Sequence, residues 1–151
     1  METTFKIWET SRGIYLKFLE NYTLDQLNKI PEGMSNNLIW NIGHIVVSQQ
    51  GLVYGLSGLP QNISAEMIEK YKNGSRPDGK TTQEEVDEIK KLLLEMILKT
   101  KSDFKAGVFK DFNPYQTKTG FHLGSLEEAI EFNNYHEGIH LGIMLQIKKF
   151  L

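Results

Sequence analysis

The sequence predicts an all-α protein built as a bundle of four long helices. Three observations predict it. Apolar residues recur at helical spacing in four separate stretches. Helix-capping signatures precede two of them: Thr82 with Glu85, and Ser125 with Glu128. A nearly all-apolar stretch, about Asn37 to Leu56, has the length of a helix and not of a strand.

The first helix, about Thr4 to Tyr22, carries Phe5, Trp8, Tyr15, Leu19 and Tyr22 on one face. Gly13 interrupts it, at a cost of about 1 kcal/mol against Ala. A turn-rich piece then runs to Ile30-Pro31-Glu32-Gly33. Ser35 or Asn36 can cap the second helix, about Asn37 to Leu56. That helix is apolar nearly all round, which predicts a buried central position. Its Ile45-Val46-Val47 would suit a strand, but its length favours a helix.

Ser64 to Tyr71 reads as a short helix, and Asn73 to Gly79 as a surface loop. The third helix, about Gln83 to Phe104, has a core face of Val86, Ile89, Leu93, Met96 or Ile97, and Phe104. Its Glu- and Lys-rich outer face reads as solvated. No period holds from Lys105 to Gly124. The last helix runs from about Leu126 to Phe150, with Lys148 and Lys149 matching its C-terminal dipole. The long stretch between the second and third helices suits a crossover connection.

Composition narrows the chemistry. The chain has 151 residues, the length of one domain over 1–151. It has no cysteine, so disulfides, thiolate metal sites and a Cys nucleophile are excluded. The net charge is −2 with both signs scattered, and clustered Lys and Arg are missing, which argues against nucleic acid as a partner. The start, Met1-Glu2-Thr3-Thr4, is unlike a signal peptide, and no apolar run is long enough to span a membrane. A soluble cytoplasmic protein is expected.

Four histidines remain as candidate ligands. His136 and His140 lie four apart on one face of the last helix, so both imidazoles can reach one ion. That face continues through Ala129, Asn133, Ile143 and Ile147. His44 sits mid-way along the buried second helix, where an imidazole needs a partner. Gly43 and Gly51 beside it would let another helix come close. Three inward histidines leave open coordination positions, the pattern of a catalytic metal site. Each can instead be a hydrogen-bonded core residue. His122, in the irregular segment, is either a loop residue or a fourth ligand.

The run His136-Glu137-Gly138-Ile139-His140 formally matches the zincin signature. The 11 residues after His140 supply no His, Asp or Glu as a third ligand, and Ile143 and Gln146 break the extended metzincin pattern. Peptidase activity is therefore not expected. Glu137 is a candidate general base, or else a residue at the solvent edge of the bundle.

Three stretches carry a family resemblance: Leu38 to Ile45, Gly55 to Pro60, and Asn134-Tyr135-His136-Glu137-Gly138-Ile139-His140-Leu141-Gly142. Together they resemble the DinB-like (DinB/YfiT) superfamily of metal-binding helical bundles, over nearly the whole chain. The resemblance implies an up-down-down-up four-helix bundle with a crossover between helices two and three. It implies a divalent metal, zinc or nickel, on His44, His136 and His140, and frequent homodimers. It also implies metal-dependent thiol S-transferase chemistry on a small-molecule substrate, such as a low-molecular-weight thiol. One departure is Ile143, where members often carry Gln.

Two alternatives stand beside that activity. One is a metal-dependent hydrolase that activates a water, with Glu137 as base. The other is a non-catalytic metal-binding or interaction module. Asn41, Ser48 and Asn133 are placed to orient the imidazoles, and Trp40 and Tyr54 to wall the pocket.

Overall fold

A computed structural model describes residues 1–151, and it is mostly helical. Four long helices form its body: α1 (Glu2–Asn21), α3 (Leu38–Gln50), α5 (Gln83–Lys105) and α6 (Leu126–Ile147). Two short helices, α2 (Leu24–Asn28) and α4 (Ala65–Tyr71), lie in the connections. Strands β1 (Tyr115–Gln116) and β2 (His122–Leu123) make a small antiparallel hairpin, pairing Tyr115 with Leu123 and Gln116 with His122. No helix is long and apolar enough to cross a membrane.

The caps explain most helix starts. Thr82 accepts from the Glu85 amide while the Glu85 side chain accepts from the Thr82 amide, so both halves of that box form. At α6 only half forms: Ser125 accepts from the Glu128 amide, but the Glu128 carboxylate accepts from Gly124 instead. At α3 the cap is Asn37, whose Oδ1 accepts from Trp40 N at 2.9 Å, and not Ser35 or Asn36. The piece expected to be merely turn-rich contains α2, started by a Thr23–Gln26 capping box.

The second helix also ends differently. After Gln50 the chain widens into a single π-helical turn, Gly51–Gly55, where Leu56 N donates to Gly51 O at 3.0 Å. An inserted residue of this kind re-aims the following side chains. Tyr54 consequently turns away from the helix face that holds His44. It packs against Phe109 and donates to Asp103 Oδ2 at 2.6 Å. It does not wall the pocket, contrary to expectation.

Helix α3 is the hub, with every residue from Leu38 to Val47 buried. It packs on α5 and α6, and α1 packs on the same two helices from the other side. Between α1 and α6, residue numbers rise together: Thr4 meets Glu131 and Arg12 meets Glu137. Between α1 and α5 they run oppositely, Glu9 with Lys101 and Glu20 with Lys90. They also run oppositely between α3 and α6, where Asn41 meets His140 and His44 meets His136. Gln49 of α3 donates to Thr100 of α5.

One apolar stripe contains a charge. The α1 core face runs Phe5, Trp8, Arg12, Tyr15 and Leu19, and Arg12 is fully buried. Its guanidinium bonds both oxygens of Glu137, Nη2 to Oε1 at 2.7 Å and Nε to Oε2 at 3.3 Å. Asn133 Nδ2 also donates to Glu137 Oε1, and Tyr15 Oη donates to the Glu137 main-chain carbonyl. Glu137 is therefore in the interior, not at the solvent edge, and Asn133 serves Glu137, not an imidazole.

Candidate metal centre

His44, His136 and His140 converge, although 92 residues separate the first two. His44 Nε2 lies 3.3 Å from His136 Nε2, and His136 Nε2 lies 3.2 Å from His140 Nε2. Neutral imidazoles at a tetrahedral ion, with metal–nitrogen bonds of about 2.0–2.1 Å, hold their nitrogens about 3.3–3.4 Å apart. Both separations lie at or just under that edge.

The outward nitrogens fix two tautomers. His44 Nδ1 lies 2.7 Å from the Tyr71 main-chain carbonyl, which can only accept, so Nδ1 carries the proton. His140 Nδ1 lies 2.8 Å from Asn41 Oδ1. The Asn41 amide cannot be flipped, because its Nδ2 donates to the Asn37 carbonyl and to Asn36 Oδ1. His140 Nδ1 is therefore the donor too. Both Nε2 atoms present bare lone pairs to His136 Nε2. Nδ1 of His136 has no partner in the protein. A cation at the centre accepts all three lone pairs; without one, His136 must turn its only ring proton inward.

Protonation does not supply that cation. Burial lowers the pKa of all three imidazoles, His136 to about 4 and His140 to about 3. For His136 and His140 the neighbouring imidazoles lower it further. At neutral pH the cluster is three neutral nitrogen donors, the donor set that zinc, nickel, copper and iron accept.

The packing around His44 follows from its neighbours in sequence. Trp40, one turn earlier, stacks on its ring with centroids 4.7 Å apart at 8°. Gly43 lets α4 approach: a Cβ there would lie 2.6 Å from the Tyr71 ring. That contact delivers the Tyr71 carbonyl to His44. Gly51, by contrast, faces open space and lines the cavity; no helix closes on it. Ser48 Oγ lies 3.2 Å from His44 Nε2, so Ser48 faces the centre and does not hold the outer nitrogen.

The cluster opens into a cavity of about 570 Å³, within the range of small-molecule sites. The hairpin forms one wall through Tyr115, Thr117 and Lys118. Its position is fixed where Asn113 N donates to the Leu56 carbonyl at 2.7 Å, tying it to the end of the π turn. His122, on β2, is outside both cluster and cavity, so the structure gives no fourth ligand there. Glu137 is next to His136 in sequence, yet its carboxylate faces Arg12 and it does not line the cavity.

A family model described as the DinB superfamily matches residues 7–144. The chain belongs to the DinB superfamily. No curated protein matches it. As in the resemblance read from the sequence, this DinB-superfamily protein brings together His44, His136 and His140, in a buried cluster able to hold a metal ion.

Proposed function

We propose that this DinB-superfamily protein is a metal-dependent enzyme of the thiol S-transferase type, with His44, His136 and His140 holding a divalent ion, zinc or nickel. The observation that carries the reading is the convergence of three imidazole nitrogens, two of them fixed as bare lone pairs by Tyr71 and Asn41. The side-chain pairings support an up-down-down-up bundle with its crossover between α3 and α5. A homodimer is also part of the reading, supported by the exposed Tyr135, Ile139 and Leu145 on α6.

A metal held by His44, His136 and His140 would supply Lewis acidity that lowers the pKa of a thiol. The protein's own groups do the positioning. Tyr71 and Asn41 hold two rings in register; Trp40 packs the face of His44; Ser48 offers a hydroxyl beside the centre. In the hydrolase alternative a metal-bound water becomes hydroxide, with Glu137 as the candidate base. That carboxylate is occupied by Arg12 and Asn133, which argues against Glu137 as that base.

Metal content of protein purified without a His-tag tests the centre. One equivalent of a transition metal is expected, sharply weakened in His44→Ala. Less than about a tenth of an equivalent after supplementation refutes it. Mixing the loaded protein with a small thiol and an alkylating electrophile tests the chemistry. Rates no faster than the protein-free reaction remove the transferase assignment.

A further inference from the structure

The cavity over the histidines has a charge bias that its chain does not. The chain carries 19 acidic and 17 basic residues. Two lysines line the cavity, Lys72 and Lys118, and no Asp or Glu does. They come from different elements. Lys72 caps the C-terminal end of α4, and Lys118 lies in the turn of the hairpin. Lys118 forms no salt bridge. Lys72 meets only Glu69, in an exposed pair of the kind that contributes little and is readily exchanged. Apolar side chains share the lining with the lysines and the histidines, among them Trp40, Leu52 and Phe132.

From this arrangement we infer that the cavity selects an oxyanion-bearing small molecule, whose carboxylate or phosphate meets Lys118 and Lys72 while its apolar part lies against Trp40 and Phe132. The inference rests on the cavity being the substrate site. It assigns Lys118 and Lys72 as specificity determinants, remote from the reacting atoms. Positive charges lining a low-dielectric cavity also raise the local concentration of an anionic ligand.

A matched probe series tests it: 3-phenylpropionate, 2-phenylethylphosphonate, neutral 3-phenylpropanol and cationic 3-phenylpropylamine. Binding is followed by the Trp40 indole N–H resonance, first in metal-free protein so that an ion cannot attract the anions itself. The two anions are expected to bind about tenfold more tightly than the amine, and that preference should shrink between about 0.05 M and about 0.5 M salt. Lys118→Gln with Lys72→Gln should remove it, and Lys118→Arg should retain it. Preference for one anion over the other names the source, carboxylate or phosphate. Equal binding of amine and anions overturns the inference, as does a preference that survives in the double variant. Zinc titration of the same sample keeps the two readings apart. Zinc binding without anion preference refutes this inference alone, and anion preference without zinc binding refutes the metal centre alone.

Discussion

Replacing Gly43 with Ala puts a methyl group into the contact that positions His44. The added Cβ would meet three Tyr71 ring carbons at 2.6–2.8 Å, against about 3.5–4.0 Å for carbon atoms at contact. The ring is 3% exposed and cannot swing clear, so α4 must retreat by roughly 1 Å. Overpacking of this kind costs about 1–3 kcal/mol, while Ala gains back about 1 kcal/mol of helix propensity. The matched control is Gly13→Ala, in a helix with nothing within 4 Å of the new methyl. That change should stabilise by about 0.5–1 kcal/mol, so the two variants should differ by about 1–3 kcal/mol in urea unfolding. The functional effect is separate. Retreat of Tyr71 lengthens the 2.7 Å bond to His44 Nδ1, and loss of such an orienting bond weakens metal binding about 10–100-fold. Zinc competition against a chromogenic chelator measures it. Tyr71→Ala in the Gly43→Ala background removes the clash but keeps the main-chain carbonyl, and should recover part of the affinity. Unchanged zinc affinity, together with the same urea midpoint for Gly43→Ala as for Gly13→Ala, would refute the reasoning.

Asn41→Leu leaves His140 Nδ1 without an acceptor and should weaken zinc binding by about 10–100-fold, read by the same competition; unchanged affinity removes Asn41 from its orienting role. Arg12→Met strands the buried Glu137 carboxylate and should cost about 3–5 kcal/mol in urea unfolding, whereas adding Glu137→Gln should restore most of it. A loss below about 1 kcal/mol would show that the pair is not isolated from water. Metal-free protein should lose stability as pH falls. The native histidines resist protonation down to about 4 for His136 and about 3 for His140, whereas the unfolded chain takes up protons below about 6.5. The loss therefore begins near pH 6.5 and continues toward pH 3–4. A urea midpoint flat between about pH 7 and pH 5 contradicts it, and His140→Leu should reduce the slope.

The three histidines are legible in the sequence because their signal is one of residue type and helical spacing. His-x3-His fixes a face, and an otherwise apolar helix makes His44 conspicuous. Their orienting partners were legible only in part. Asn41 can be seen as a side chain near the face, but the group that holds His44 is a main-chain carbonyl, which every residue possesses. Tyr71 becomes its donor of position only through Gly43, whose effect depends on which element lies opposite. The hairpin is not legible because two-residue strands are too short to show alternation, although Asn113-Pro114 precedes it and Thr119-Gly120 lies in its turn. Arg12 left a trace: the step of seven between Trp8 and Tyr15 skips the position it fills. A charged residue in that gap predicts an opposite charge buried across from it, and Glu137 is that charge. The π turn had no sequence signal beyond its two glycines, so Tyr54 was assigned to the wrong face.

The Arg12–Glu137 pair also constrains how this chain can diverge. Either residue changed alone leaves a buried, unmatched charge, a loss comparable to a large part of the about 5–15 kcal/mol that holds a domain of this kind together. Lineages that keep one partner must keep the other, or exchange both within a short interval. The two positions should covary among relatives as a unit, Arg with Glu or two uncharged residues, with mixed combinations rare. Glu137 is joined by one peptide bond to His136, so this coupling also fixes the rung of α6 that presents the central histidine. The surface of the cavity can drift while that rung stays in place.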